Sequence, residues 1–140
     1  MNQTKKIRIV GISITTSETT APQDIGSLWG KAAVSGVLSG DSYNYGVYCD
    51  YEDGRHGNYR VVVGSESDAE PAAGQVVVEI PVGSYEVIED EGAVEQIVGA
   101  AWQQAWTNYG DKRSFAVDYE RYLGSPEHSK FGLYIGVVSE

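Results

Sequence analysis

The sequence predicts an α+β fold built from two βαββ halves, at about residues 1–66 and 75–140, which together form one domain over residues 1–140. Two observations predict it: short sequence runs near the end of each half match, and an amphipathic helix precedes each matching run. Each half has strands with one face to cover and only one helix to cover it. We therefore expect a fused antiparallel sheet with pseudo-two-fold symmetry, both helices on one face, and a groove between them.

The first half contains a strand, a helix and two further strands. The run KIRIVGISI at 6–14 alternates apolar and polar residues, as a half-buried strand does. The run PQDIGSLWGKAA at 22–33 has apolar residues at helical spacing, which predicts one buried stripe. The runs VYCDYE at 47–52 and HGNYRVVVG at 56–64 then supply two strands.

The second half repeats this order after a linker, SESDAEPAAG at 65–74. It begins with QVVVEIPVGSYEVI at 75–88, where Pro81 and Gly83 predict a bend or bulge. The run GAVEQIVGAAWQQAW at 92–106 again has helical apolar spacing. The final strands are expected in AVDYERY and in HSKFGLYIG at 128–136.

Two matches relate the halves. The triplet Asp-Tyr-Glu at 50–52 recurs at 118–120, which makes Glu52 the counterpart of Glu120 and Tyr48 the counterpart of Ala116. HGNYRVVVG aligns with HSKFGLYIG, His on His and Gly on Gly. Along the strand 116–122, period-two alternation places Glu120 on one face with Asp118 and Tyr122, and Tyr119 on the other.

Composition excludes several classes of function. The chain has 10 Lys and Arg against 20 Asp and Glu, a formal net charge of -10, so its field repels phosphate backbones and nucleic acid is not an expected partner. It has no apolar run of the length that a signal peptide or membrane span needs, so we expect a cytoplasmic protein and no membrane contact. The single cysteine, Cys49, cannot form an intramolecular disulfide.

The sequence lacks the common cofactor and catalytic motifs, among them G-x-G-x-x-G, the Walker loop, G-x-S-x-G and H-E-x-x-H. Asp50, Glu52, Asp53 and His56 could form a metal cluster, but their spacing does not fit a calcium loop. We therefore expect no metal, no cofactor and no catalytic residue.

Aromatic content points to a binding surface. The chain has 10 Tyr and 3 Trp but only 2 Phe. Tyrosine and tryptophan combine an apolar ring with a polar group and suit half-buried surfaces.

Four stretches resemble the GyrI-like, AraC-type effector-binding domains, the ligand-binding modules of multidrug-responsive regulators: YGVYCDYEDGRHGNYRVVVG at 45–64, IPVGSYEVIEDEG at 80–92, the helix with Trp102 and Trp106, and FAVDYERY at 115–122. The resemblance implies a duplicated βαββ fold whose cleft binds bulky organic cations between aromatic walls and a buried glutamate. The family's strand motif of Phe or Tyr, Glu, any residue and Tyr falls on 119–122 and nominates Glu120.

The predicted ligand-binding residues are Glu120 and six aromatic side chains: Trp102, Trp106, Tyr85, Tyr122, Tyr134 and Tyr48. A cation between such rings gains about 0.5 to 2 kcal/mol per well-placed ring. Two alternatives stay open. The tryptophans also lie on the apolar stripe of their helix and could be core residues, and Glu120 could be a solvated charge paired with Arg121 or Lys130.

We expect a non-enzymatic binder of amphipathic cationic small molecules that acts as a freestanding sensor or sequestering module, since 140 residues that start at a strand leave no room for a helix-turn-helix. The resemblance leaves two alternatives open, a hydrolase of electrophilic xenobiotics and a modulator of gyrase or another protein. A homodimer through a sheet edge also stays open.

Overall fold

The computed structural model describes residues 2–17, 19–52 and 57–138. Both predicted halves are present, and the fold class is confirmed. In chain order the elements are β1 (Asn2–Gln3), β2 (Ile7–Thr16), α1 (Ala21–Ser35), β3 (Asn44–Cys49), β4 (Tyr59–Glu66), β5 (Val76–Ile80), β6 (Gly83–Gly92), α2 (Val94–Tyr109), a short 3-10 helix (Gly110–Lys112), β7 (Val117–Ser125) and β8 (His128–Gly136).

All eight strands form one antiparallel sheet in the order β1-β6-β8-β7-β3-β4-β2-β5. The halves meet where β3 pairs with β7, with Val47 opposite Tyr119 and Gly46 opposite Glu120. On either side of this central pair the same sequence of strands follows in mirror order. The predicted pseudo-two-fold axis therefore passes between β3 and β7.

Each half also lends a short strand to the other. Strands β5 and β6 are separated only by Pro81 and Val82, yet β5 pairs with β2 at one edge of the sheet and β6 pairs with β1 at the opposite edge. Strand β1 likewise pairs with β6 and leads directly into β2. The bend predicted at Pro81 and Gly83 is confirmed, and it bridges the two edges of a strongly curled sheet.

Both helices pack on the same face of the sheet. Helix α1 covers a cluster with Tyr48, Val61 and Val63, and α2 covers one with Phe131, Leu133 and Ile135. The opposite face forms a third cluster, which includes Ile9, Tyr45, Val47, Tyr85, Tyr119 and Tyr134. Since each fully buried aliphatic side chain contributes about 1.5 to 3 kcal/mol, burial on both faces stabilises the sheet.

Strand pairing corrects one part of the repeat alignment. Val61 is opposite Tyr48, and Leu133, which aligns with Val61 through the HGNYRVVVG match, is opposite Glu120. The structural counterpart of Glu120 is therefore Tyr48 and not Glu52. The Asp-Tyr-Glu triplet misaligned the halves because Asp50 lies just beyond β3 with a positive φ of 53°, whereas Asp118 lies within β7.

Candidate ligand-binding site

A cavity of about 550 Å³ opens between the two helices above the central strands. Helix α1, helix α2, strands β3, β4 and β7 and the segments that follow β3 and α2 all contribute to its wall. The lining side chains are mainly apolar or aromatic, and they are Ala21, Ile25, Tyr48, Tyr51, Tyr59, Val98, Gly99, Trp102, Trp106, Arg113 and Glu120. A volume in the range of drug-sized ligands and a wall with few polar groups are typical of small-molecule sites.

Glu120 lies at the base of this cavity and is only 2% exposed. Trp102 Nε1 donates a hydrogen bond to its Oε2 at 2.6 Å, and the Tyr122 hydroxyl donates to Oε1 at 2.8 Å. A side chain at Gly46, opposite Glu120 on β3, would place its Cβ 3.1 Å from Oε1. Glycine at this position therefore leaves room for the carboxyl group.

Burial raises the pKa of the Glu120 carboxyl above its usual value, because a charge in an apolar cavity loses its hydration. Hydrogen bonds from Trp102, Tyr122 and Tyr48 favour the charged form and partly oppose this rise. No cationic side chain within the described part of the chain forms an ion pair with Glu120. Within the described residues, the carboxyl group therefore has neutral hydrogen-bond donors but no counter-ion.

Two tryptophans of α2 form one wall. The Trp102 ring lies 5.1 Å from the Tyr48 ring in an edge-to-face arrangement and 6.4 Å from the Trp106 ring. Trp102 also touches the apolar clusters under both helices, so it serves the core and the cavity at once. Trp106 is 44% exposed, and it therefore marks the solvent side of the wall.

An ion pair between Arg113 and Asp118 lies beside Glu120, and Arg113 lines the cavity. The Arg113 side chain is 5% exposed and its Nη2 lies 2.5 Å from Oδ2 of the fully buried Asp118. The Tyr51 hydroxyl donates to the same oxygen at 2.5 Å, and the backbone N–H of Gly136 donates to Oδ1 at 2.8 Å. These three donors satisfy the Asp118 carboxylate.

Arg113 is less completely paired than Asp118. Its guanidinium stacks over the Phe115 ring at 4.3 Å, and its buried Nε has no acceptor among the described residues. An unpaired buried donor costs about 1 to 3 kcal/mol, so this atom is an unusual feature of the cavity wall.

Four of the seven predicted site residues line this cavity: Glu120, Tyr48, Trp102 and Trp106. Tyr122 holds the Glu120 carboxyl group from the side and packs edge-to-face against Trp29 at 5.2 Å. The structure thus brings Trp102, Tyr122 and Tyr48 together around the Glu120 carboxyl group, with Trp106 farther out on the cavity wall.

Tyr85 and Tyr134 lie elsewhere, which corrects their expected place beside Glu120. Both belong to the cluster on the opposite face of the sheet, where the Tyr134 ring stacks on Tyr119 at 4.4 Å and the Tyr85 ring meets Tyr119 at 5.5 Å. The alignment of motifs gave their strands but not their faces, since a side chain one position along a strand points to the other side.

Sequence reasoning missed Tyr51, Tyr59 and Arg113. Strict alternation from Tyr45 and Val47 assigns Tyr51 to the opposite face, but the left-handed conformation of Asp50 breaks the alternation and turns Tyr51 to the cavity. In the sequence, the only indication of this change of direction is that Asp50 shortly precedes the turn signal Asp53-Gly54. Arg113 follows the short 3-10 helix, and no motif distinguishes it.

The metal cluster considered in the sequence is only partly described, because Asp53 and His56 lie outside the described residues. Within ranges 2–17, 19–52 and 57–138, no three His, Cys, Asp or Glu residues come together in a way that could hold a metal ion. Among the described helices, none has the length and apolar character to cross a membrane.

An apolar, aromatic cavity around a buried carboxyl group, on a duplicated βαββ sheet, defines a small-molecule-binding domain of the effector-binding class. The chain belongs to the Cass2 family of integron-associated effector-binding proteins, whose sequence model matches residues 1–137. The resemblance to GyrI-like effector-binding domains is thereby confirmed. A comparison with curated protein sequences found no significant match.

Solved structures share the fold over nearly the whole chain. An integron cassette protein from the mobile metagenome of Vibrio cholerae superposes with a TM-score of 0.83 at 23% identity, covering 97% of this chain and 93% of its own. SAV2435, solved with tetraphenylphosphonium bound, gives 0.80 at 19% identity, with 98% and 92% covered. A putative transcription regulation protein of Staphylococcus aureus MU50 gives 0.75 at 20% identity, with 98% and 95% covered.

Proposed function

We propose that this protein binds amphipathic organic cations in the cavity between its helices, with Glu120 as the counter-ion, and serves as a sensor or a sequestering module for them. The observation that carries the proposal is a carboxyl group 2% exposed, at the base of an aromatic cavity, with no cationic partner among the described residues. The structural neighbour that carries tetraphenylphosphonium supports the same ligand class.

The physical basis is a desolvated carboxyl group that has no counter-ion among the described residues. Burial makes Glu120 costly to ionise, and its raised pKa expresses that cost. A bound organic cation would supply Coulomb attraction to the carboxylate. Such a cation is weakly hydrated, so it loses less hydration free energy on entering the cavity than an ammonium or metal ion would. The rings of Trp102 and Tyr48 would add cation-π attraction, and their tolerance of shape would give broad specificity.

The test is a titration of tryptophan fluorescence with tetraphenylphosphonium and with tetraphenylborate, which has the same shape and the opposite charge. We expect saturable quenching by the phosphonium and none by the borate. Glu120→Gln should weaken phosphonium binding by about 1 to 3 kcal/mol, the range for a charge-assisted contact.

Glu89→Gln is the matched control, because it removes the same charge from an exposed position on β6 outside this cavity. It should leave phosphonium affinity unchanged. Equal affinity of the wild type and Glu120→Gln for the phosphonium would show that Glu120 is not the counter-ion, and equal quenching by both probes would reject cation selectivity.

A further inference from the structure

The cavity has a second polar side chain that the Glu120 contacts do not involve, and it is a hydrogen-bond donor. Arg113 lines the cavity with its side chain 5% exposed. Among the described residues its hydrogen bonds run through Nη2 alone, to Asp118 and to the Tyr51 hydroxyl at 3.4 Å, while the buried Nε has no acceptor. A guanidinium has five N–H donors in a fixed plane, so most of its donor capacity is unused.

The position of Arg113 is fixed from several sides. Its backbone pairs with Val137 in an isolated bridge, and the neighbouring Ser114 N–H donates to the Gly136 carbonyl at 2.9 Å. The guanidinium is held against the Phe115 ring at 4.3 Å and tied to the satisfied carboxylate of Asp118. A donor held this rigidly loses little freedom when it meets an acceptor, which favours binding.

Charge decides which acceptor fits. The positive charge of Arg113 is already balanced by Asp118 at 2.5 Å, so the pair is neutral as a whole and Glu120 provides the net charge of the cavity wall. Asp118 and Glu120 point to the same face two positions apart on β7, about 7 Å along the strand. A ligand can therefore meet Glu120 with a cationic centre and Arg113 with a neutral acceptor a few bonds away.

We propose that Arg113 is a second recognition point of the cavity and that the preferred ligands are organic cations that also carry a neutral hydrogen-bond acceptor, such as a carbonyl or ether oxygen. This inference rests on the proposed cation binding and narrows its ligand class. The acceptor receives a hydrogen bond from one of the guanidinium N–H groups, other than the buried Nε, that Asp118 and Tyr51 leave unused.

The test uses two triphenylphosphonium cations of matched shape: one whose alkyl chain ends in a methyl ketone, and its isostere in which a methylene group replaces the ketone oxygen. In the wild type we expect the ketone to bind roughly tenfold more tightly, the effect of one hydrogen bond to a charged group. Arg113→Lys keeps the charge beside Asp118 but removes the planar donor array, and should bring the affinity ratio of the two probes close to one.

Arg121→Lys is the matched control, because Arg121 is an arginine of β7, next to Glu120, that stacks on Tyr43 at 4.3 Å on the other face of the sheet. It should preserve the tenfold preference. Equal wild-type affinities for the ketone and its isostere would overturn this proposal while leaving cation binding intact, and that comparison needs no variant to fold. Failure of both probes to bind the wild type would overturn the proposed function and this proposal with it.

Discussion

At the residue scale, the central feature is that Glu120 receives hydrogen bonds but, among the described residues, no countercharge. Three neutral donors, from Trp102, Tyr122 and Tyr48, orient the carboxyl group, and Gly46 leaves space for it. Neutral donors favour the charged form less than an arginine or lysine would, and burial raises the pKa of Glu120 despite them. The proposed role of Glu120 as a counter-ion depends on this arrangement.

The raised pKa gives the free energy of unfolding a pH dependence of defined sign. Because the folded protein holds the Glu120 proton more tightly than the unfolded chain does, the stabilising effect of this proton is full below the unfolded value of 4.5 and is lost as the pH rises through the folded pKa. Each unit of difference corresponds to about 1.4 kcal/mol.

We expect the difference in unfolding free energy between wild type and Glu120→Gln to fall from acid to neutral pH and then to level off. Urea unfolding of both proteins across this pH range measures it, and subtraction of the variant cancels the carboxylates that the two proteins share. A constant difference would mean that Glu120 ionises as easily in the folded protein as in the unfolded chain, and a difference that grows with pH would mean that it ionises more easily when folded.

Much of this site was readable from the sequence, and the reason differs between residues. Glu120 and Trp102 were predicted because a charged residue in an aromatic strand, the strand motif of the resembled family and two tryptophans four positions apart are visible in the sequence. Tyr48 was predicted as the counterpart of Ala116, whereas strand pairing makes it the counterpart of Glu120. Tyr51 and Arg113 were not predicted, because their placement depends on a left-handed residue and on the packing after a short 3-10 helix. Such irregular segments have no periodicity from which a direction could be inferred.

At the element scale, helix α2 packs against the sheet through one face and lines the cavity through the neighbouring face. Ile97, Ala101 and Ala105 are its buried positions against the sheet, while Val98, Gly99 and Trp102 line the cavity. The helical spacing predicted a core stripe, and Trp102 both touches the core clusters and lines the cavity, while its contact with a ligand stays a prediction.

Gly99 tests the ligand wall, and Gly30 of α1 is its matched control. A Cβ at either glycine meets nothing within 4 Å, so each helix accepts a side chain there. Leucine is the better helix former, so Gly99→Leu and Gly30→Leu should each stabilise the fold by about 0.5 to 1 kcal/mol. Only Gly99→Leu places a side chain inside the cavity and so reduces its free volume. This variant should weaken tetraphenylphosphonium binding about tenfold or more.

Thermal unfolding and the fluorescence titration measure the two effects separately. If Gly99→Leu bound the phosphonium as tightly as Gly30→Leu does, the ligand would not contact this face of α2.

At the scale of the whole molecule, the repeat predicted the sheet and its symmetry but not the exchange of edge strands. The run at 75–88, which forms β5 and β6, was predicted as one strand with a bend, and β1 at Asn2–Gln3 was not predicted. No local sequence feature indicates that β5 and β6 pair with different neighbours or that β1 pairs with β6. Pairing partners distant in sequence are set by the whole sheet. The linker predicted at 65–74 begins with the last two residues of β4, and the rest of it is mostly exposed between β4 and β5.

Because each half lends a strand to the other, the linker should not be what keeps them together. We expect a protein with a protease site inserted between residues 70 and 71 to elute as one folded species after cleavage, with both fragments present. Size-exclusion chromatography followed by denaturing electrophoresis measures this. Separation of the fragments under native conditions would contradict it, and the uncut protein gives the reference elution volume.

Tyr48 and Glu120 occupy equivalent positions in the two halves, related by the pseudo-two-fold axis, and this has a consequence for the ancestry of the fold. Two identical subunits must place the same residue twice at their shared axis, so a homodimer of one half would bring two glutamates or two tyrosines to this point. Two like carboxylates would repel, and two phenols would offer no charge. Fusion of the copies into one chain lets one become the donor and the other the acceptor, and a single negative site arises where symmetry would have required two or none.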